Sequence, residues 1–174
     1  DHWLFDTTRA TNLPLKSNSG NSASDVGSTY FNSFNNDGFN VGSNGSTNYT
    51  GVDFTSWTFR KAKGFFDVVT FSPTEYVSNH RTSHSLGCIP GLILLKNTLR
   101  TEDWYVYHRS LGRNKYIRLN QTNGQTASTN AWGTSDPTST DFGFNTSNLT
   151  SGMPSTYVAY LFAGGAATGT GNGS

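Results

Sequence analysis

The chain has 174 residues, of which 13% are charged, and its formal net charge at pH 7 is +1. This balance gives no long-range field that could hold nucleic acid or an anionic membrane, and no apolar run approaches the ~20 residues of a membrane span. Asn, Ser and Thr together number 63, yet aromatic residues make up 14% of the chain. Such an aromatic content excludes a disordered polar chain and favours one folded domain with polar loops.

Short apolar and aromatic segments recur along the chain, and clusters of Asn, Gly, Ser and Asp separate them, as is typical of turns. No stretch of twelve residues has the apolar spacing of an amphipathic helix. The pattern predicts about eleven short strands, almost no helix, and an all-β antiparallel sandwich. In chain order the predicted strands are 3–5, 13–15, 29–31, 38–41, 52–59, 65–71, 92–95, 104–107, 116–119, 141–144 and 156–162.

The last predicted strand differs from the others because residues 157–162 are apolar on both faces, which predicts a central strand between two covered surfaces. In the predicted strand 52–59, Trp57 and Phe59 share one face. We therefore expect Trp57 to be a core residue, together with Trp3 and Trp104.

An internal repeat of about 100 residues is the most informative long-range pattern. The sequence of residues 38–40 recurs at 143–145, and residues 54–59 align with 157–162. The landmarks keep one order and nearly constant spacing, which favours a half repeat followed by a full repeat.

The repeat predicts a single β-sandwich over residues 1–163, built from a half repeat (1–63) and a full repeat (64–163). The alternative is that residues 1–63 are the end of a preceding domain, but five strands could not bury both faces alone. Residues 164–174 are rich in Gly and Thr and are interpreted as a tail or linker, with a Gly-rich strand as the alternative. The first residue, Asp1, indicates a processed chain or a piece of a longer one.

Several segments, in this order and spacing, resemble a repeat domain of virion proteins from tailed bacteriophages, many of them marine and cyanobacterial. One departure is Ala10, where the family pattern has glycine. The resemblance spans most of residues 1–163. The segments that carry it are 3–9 (WLFDTTR), 57–71 (WTFRKAKGFFDVVTF), 84–96 (HSLGCIPGLILLK), 103–109 (DWYVYHR), 143–145 (GFN) and 157–163 (YVAYLFA).

The family is similar to concanavalin A-like lectin and glucanase sandwiches, so the resemblance implies a jelly-roll arrangement. It also implies a non-enzymatic structural or adhesive role in a virion, as a tail fibre, receptor-binding or capsid-decorating module, with a virion or extracellular location. Other virion proteins and further copies of the chain are the expected partners. The alternative function is a carbohydrate-binding module that recognises a bacterial surface glycan. The resemblance supplies no catalytic residues and no cofactor.

Catalytic patterns are not evident in the sequence. A glycosidase of this sandwich type needs two carboxylates across a cleft, usually as Glu-x-x-x-Glu or Glu-x-Asp-x-x-Glu, but the chain has two Glu among 11 acidic residues and neither pattern. There is also no Gly-x-Ser-x-Gly nucleophile elbow and no phosphate-binding glycine loop. We therefore expect no enzymatic activity.

Metal binding has weak support. His80 and His84 have i, i+4 spacing, but they lie in what we interpret as a Ser/Thr-rich loop and have no evident third ligand. Residues 35–38 (NNDG) carry oxygen ligands suited to calcium, but the same residues are typical of a turn. Cys88 is interpreted as a small core residue.

Exposed aromatic rings near amides or acids are the expected signature of a sugar site. Trp132 lies in the polar segment 130–134 and Tyr76 also has polar neighbours, so both are candidate ligand-binding residues. The one basic cluster, residues 60–63 (RKAK), is interpreted as a solvated connector, with contact to an acidic neighbour as the alternative.

Overall fold

The structure is a computed structural model that describes residues 2–165. Its one α-helix in the described residues, α1 (Thr146–Leu149), is four residues long, so no described helix could cross a membrane. A 3₁₀ turn occurs at Gly27–Thr29. The strands of the described chain are β1 (Trp3–Leu4), β2 (Leu15–Lys16), β3 (Phe31–Phe34), β4 (Phe39–Val41), β5 (Phe66–Phe71), β6 (His80–Ser83), β7 (Pro90–Asn97), β8 (Tyr105–His108), β9 (Lys115–Arg118), β10 (Thr126–Ala127), β11 (Asp141–Phe144) and β12 (Tyr157–Ala163).

The main sheet has six strands in the order β10-β9-β8-β7-β12-β5, and every neighbouring pair is antiparallel. Strand β12 lies between β7 and β5, with Ala159 opposite Leu95 on one side and Val69 on the other. Residues 157–161 of this strand are all buried. The prediction of a central strand covered on both faces is therefore confirmed.

One face of the main sheet, which we call the front face, is covered by the two-stranded sheet of β6 and β11. Phe142 and Phe144 of β11 point into the core, and the Phe144 ring lies 5.2 Å from the ring of Tyr157. Leu95 and Leu161 of the main sheet belong to the same buried cluster. This front core has the larger number of fully buried side chains, and it fixes the β6–β11 pair over the sheet.

The opposite face, which we call the back face, is covered by the N-terminal segment. Strands β1 and β2 form a short antiparallel pair, and Leu15 of β2 packs with Val158 and Trp104. The indole Nε1 of Trp104 donates a hydrogen bond of 2.9 Å to the main-chain oxygen of Lys16. The N-terminal segment is thus part of the sandwich, and Trp104 is a core residue as predicted.

A buried ion pair fastens the N-terminal segment to β12. The Asp6 carboxylate lies 2.7 Å from the Arg9 guanidinium and accepts a hydrogen bond of 2.7 Å from the Tyr160 hydroxyl. The same carboxylate accepts hydrogen bonds from the backbone N–H groups of Thr8 and Arg9, each 3.0 Å long. Burial raises the pKa of Asp6, but Arg9, Tyr160 and Thr8 outweigh it, so the pKa lies below its usual value.

The all-β antiparallel fold is confirmed, whereas the finer jelly-roll arrangement remains a prediction. Ten of the eleven predicted strands overlap an observed strand, and the exception is 52–59. That segment is wrong as a strand because it has no partner in the described chain, although Trp57 and Phe59 alternate as strand residues do. Its supposed repeat mate, 157–162, is the central strand, so the two segments have different environments.

Two observed strands escaped prediction. The segment of His80 and His84 is not a loop, since β6 pairs with β11 over four residues. Apolar periodicity missed it because its inward positions are His80 and Thr82, and the His80 ring stacks on Phe71 at 5.3 Å. The other, β10, has only two residues, Thr126 and Ala127.

The strand also bears on metal binding by the two histidines. Four residues along a strand separate His80 from His84 by about 13 Å, too far to share one ion.

The hairpin of β3 and β4 is held by packed aromatic rings. Phe31 lies 4.5 Å from Phe5 and 4.6 Å from Phe34, measured between ring centroids. The loop of this hairpin is residues 35–38, and the N–H of Asn35 donates to the Gly38 carbonyl at 2.8 Å. The turn interpretation of this segment is therefore confirmed.

A buried lysine lies at one end of the main sheet. Lys96 is fully buried, and its Nζ donates hydrogen bonds to the carbonyl oxygens of Asn97 (2.7 Å) and Arg100 (3.3 Å). Burial lowers the pKa of Lys96 to about 8, although Glu102 and Asp103 raise it in part. The ammonium group therefore bonds both ends of the 97–100 turn, and its burial removes it from water.

This pKa predicts that the free energy of unfolding rises with pH between about 8 and 9.5. In that range the unfolded chain keeps the Lys96 proton, since its pKa there is near 10.5, whereas the folded chain releases it. The expected gain is about 1–2 kcal/mol, and urea unfolding at several pH values measures it. The measurement stops at pH 9.5 because Tyr105, whose pKa burial raises to about 12, opposes the effect above pH 10.

The matched control is Lys96→Met, which fills the same space without a charge. Its unfolding free energy should be flat over this range. A wild-type chain that is equally flat would contradict the burial of an ionisable Lys96.

Candidate functional site

Trp132 lies in the front core, so the prediction that it is an exposed ring available to a ligand is wrong. Its ring is 0% exposed, packs against Tyr107 and Phe144, and donates a hydrogen bond of 3.0 Å from Nε1 to the Lys115 carbonyl. The polar segment around it suggested an exposed ring, but that segment folds over the front core. Its Gly133 has a φ of +86°, a left-handed conformation that lets the chain turn back beside Gly143.

Tyr76 has the exposure that a ligand contact needs, since 52% of its surface is accessible. It lies between β5 and β6, next to Val77, whose N–H and carbonyl both bond the Thr146 hydroxyl. The backbone beside Tyr76 is thus fixed while its ring projects into solvent. Its role in ligand binding remains a prediction.

The most exposed large hydrophobic side chain of the described residues lies in the segment that leads into β5. Trp57 is 83% exposed, and Phe54 and Phe59 are about half exposed. The prediction that Trp57 is a core residue is therefore wrong. We call residues 53–61 the arm.

The backbone of the arm is unpaired. In the described chain, none of the N–H or carbonyl groups of residues 53–61 takes part in a backbone hydrogen bond. Unpaired backbone groups beside alternating apolar side chains, here Trp57 and Phe59, are the features of a strand that lacks its neighbour. Sequence reasoning recognised the strand pattern here but could not show that the neighbour is missing.

The C-terminal end of the arm is anchored. The Phe59 ring lies 5.6 Å from Phe66 and 5.5 Å from Phe162, at the rim of the main sheet. Arg60 donates a hydrogen bond of 3.1 Å to the carbonyl of Asn36 in the β3–β4 hairpin. The anchored end leaves Phe54 and Trp57 projecting from a fixed base.

Lys61 joins the arm to the edge of the main sheet. Its Nζ lies 2.8 Å from the buried carboxylate of Asp67 and donates to the Val68 carbonyl at 3.1 Å. Asp67 also accepts a hydrogen bond of 2.7 Å from the N–H of Ser85. Burial raises the pKa of Asp67, but Lys61, Ser85 and Val68 together lower it below its usual value.

The basic cluster 60–63 is therefore more than a solvated connector, because Lys61 covers part of the open side of β5. A lysine on an edge strand is a common protection against uncontrolled strand addition. The edge of β5 is thus a poor receptor for another strand, whereas the arm beside it is open.

A shallow cleft lies at the end of β12, with a volume of about 410 Å³. His108, Arg109 and Ser110 supply its polar wall, and Leu92 and Phe162 supply an apolar wall. The Arg109 guanidinium packs over Gly164, where an added Cβ would lie 2.6 Å from its Nη1. In the described part of the chain no carboxylate pairs with Arg109, so its charge faces the cleft.

Two partly buried carboxylates, Glu102 and Asp141, are engaged in structural contacts. Glu102 accepts hydrogen bonds from Ser151 and Asn97, and Asp141 pairs with Arg81. Residues 2–165 contain no group of three or more His, Cys, Asp or Glu side chains that could hold a metal ion. His84 is buried beside Phe142, and burial holds the pKa of its imidazole below the usual value.

The described residues form an all-β sandwich with an exposed aromatic arm and a cleft that Arg109 lines. The chain belongs to the family described as Domain of unknown function (DUF7483), which matches residues 1–170. No curated protein and no solved structure matches the chain.

Proposed function

We propose that the chain is a non-enzymatic structural and adhesion module of a virion, and that it contacts its neighbours in the particle through the arm. The observation that carries the proposal is the arm itself, with nine consecutive residues of unpaired backbone and an aromatic ring that is 83% exposed. Contiguous exposed apolar surface with a polar surround is typical of protein interaction sites.

The virion assignment rests on the resemblance, and the structure gives its residues a physical role. Asp6 and Arg9 of the N-terminal motif form the buried ion pair, and Trp104 lies in the back core. Residues 157–161 are the buried part of the central strand. The residues that carry the resemblance are therefore ones that hold this sandwich together, which supports a common fold with the virion repeat domain. The exposed arm supports assembly with neighbouring molecules.

The positions of the carboxylates favour a non-enzymatic module. Asp6, Asp67 and Glu102 are each bonded to structural partners, and no carboxylate of residues 2–165 lines the cleft of Arg109. A retaining glycosidase would need two carboxylates about 5–5.5 Å apart facing one cleft.

Light scattering of the purified chain over a range of concentrations tests the assembly role. We expect dimers or larger assemblies at high protein concentration, and we expect Trp57→Ala to shift the equilibrium toward monomer at least tenfold. Tyr76→Ala is the matched control, because it also removes an exposed aromatic ring, and it should leave assembly unchanged. A chain that stays monomeric at every concentration would contradict the proposal.

The second candidate function, binding of a bacterial surface glycan, is favoured by the cleft of Arg109. Its volume falls within the range of ligand sites, and its walls combine charged, hydroxyl and apolar groups. The unpaired guanidinium would select an acidic sugar, since arginine binds carboxylates with two parallel hydrogen bonds.

Titration with an acidic disaccharide, followed by NMR, tests this second candidate. Shifts should appear at His108, Arg109 and Ser110, and Arg109→Ala should weaken binding at least tenfold. A titration that moves no resonance near the cleft would remove glycan binding at this site.

A further inference from the structure

We infer that the arm pairs with the arm of a second copy of this chain, as two antiparallel strands related by a two-fold axis at Trp57. This inference rests on the proposed assembly role and names the partner. Every second residue of the arm would then exchange backbone hydrogen bonds with its counterpart, and the exposed rings would pack on side chains of the second copy.

Symmetry limits the register of such a pair. A two-fold axis perpendicular to two antiparallel strands keeps every side chain on its own face, so opposed residues must differ by an even number. Registers centred on Ser56, Trp57 or Thr58 satisfy this condition. The charges of the arm and the backbone bonds at its C-terminal end distinguish among them.

The register centred on Trp57 brings together complementary side chains. Asp53 lies opposite Lys61 of the second copy, and Phe54 lies opposite its Arg60. Each pair occurs twice, as two ion pairs and two cation–π contacts. Trp57 faces its own counterpart on the axis.

The neighbouring registers are poorer. Centring on Ser56 places Asp53 opposite Phe59 and leaves the carboxylate without a cation. Centring on Thr58 places Asp53 opposite Lys63, but this pair would need the backbone of Ala62, which is already bonded to Phe66.

Lys61 can serve both chains at once. An ammonium group has three N–H donors, and Lys61 uses two of them, on Asp67 and on the Val68 carbonyl. Its side chain is 48% exposed, so the third donor can reach Asp53 of the second copy. The existing contact with Asp67 holds the ammonium group in place for this second ion pair.

The size of the contact predicts a weak dimer. The exposed parts of Phe54, Trp57 and Phe59 present roughly 400 Å² per chain, because a buried aromatic side chain covers 150–250 Å². With the backbone included, the interface lies near the lower limit of about 1,200 Å² for stable complexes. We expect a dimer that dissociates on dilution and becomes permanent only where many copies are held together.

Cysteine cross-linking tests the register directly. In a Cys88→Ala background, Ser56→Cys and Thr58→Cys chains of different mass are mixed and oxidised at a concentration where light scattering shows assembly. Residues 56 and 58 lie opposite each other, at about 4.5–5.5 Å between Cα atoms, within the range of a disulfide. The mixed disulfide should exceed either homodimeric disulfide several-fold, because like positions are about 7–8 Å apart.

Ser56→Cys mixed with Tyr76→Cys is the matched control and should give background cross-linking. Assembly by light scattering without the mixed 56–58 disulfide would overturn the arm pairing and leave the assembly role standing. Homodimeric disulfides as strong as the mixed one would overturn the register. A monomer at every concentration would overturn the assembly role, and the arm pairing with it.

Discussion

Trp132→Ala is expected to lower the free energy of unfolding by about 3–5 kcal/mol. The substitution empties a fully buried site between Tyr107 and Phe144 and leaves the Lys115 carbonyl without its donor. A domain of this size is stable by about 5–15 kcal/mol, so the loss is a large fraction of the total. Urea unfolding followed by circular dichroism measures it.

The matched control is Trp57→Ala, which removes the same side chain from an exposed position. It should change the unfolding free energy of the dilute monomer by less than about 0.5 kcal/mol. Similar losses for the two variants would contradict the placement of one tryptophan in the core and the other in solvent.

Asp6→Ala is expected to cost about 3–5 kcal/mol, because it leaves the Arg9 guanidinium buried without its counter-charge. Tyr160→Phe removes only the hydroxyl that donates to Asp6, and it should cost about 0.5–1.5 kcal/mol. Urea unfolding at pH 7 measures both. An Asp6→Ala chain as stable as wild type would mean that the N-terminal segment does not depend on this ion pair.

The same ion pair predicts part of the acid sensitivity of the fold. The folded pKa of Asp6 is below the unfolded value of 3.8, so the stability it contributes is present above pH 3.8 and is lost as the pH falls through the folded pKa. Asp6→Asn should remove this part of the pH dependence while leaving the side chain nearly the same size.

Strands whose inward-facing side chains are apolar could be predicted from the sequence. Residues 157–162 are apolar on both faces, and only a central strand with two covered faces accounts for that pattern. The segment of His80 could not be found in this way, because its inward positions are a histidine and a threonine. The periodicity of apolar residues predicts only apolar burial, whereas β6 packs against the sheet through the imidazole of His80, which stacks on Phe71.

The two tryptophans show why the candidate site was harder to predict than the fold. Polar neighbours around Trp132 suggested exposure, and apolar alternation around Trp57 suggested burial, yet the structure has the reverse. Local composition states what a segment can pack against, while burial depends on whether another segment covers it. One sequence signal could have marked the arm as a contact surface. An acidic residue, Asp53, begins the segment, and two basic residues, Arg60 and Lys61, end it, while the residues between are uncharged.

Amide hydrogen exchange of residues 53–61 at two protein concentrations tests the central claim most directly. In the dilute monomer these amides have no backbone partners and should exchange at the rate of an open chain. At a concentration where light scattering shows assembly, the exchange of every second amide, the set that faces the second copy, should slow at least tenfold, and Trp57→Ala should abolish the slowing. Exchange that is equally fast at both concentrations, or equally slow because the arm pairs within its own chain, would contradict assembly through the arm.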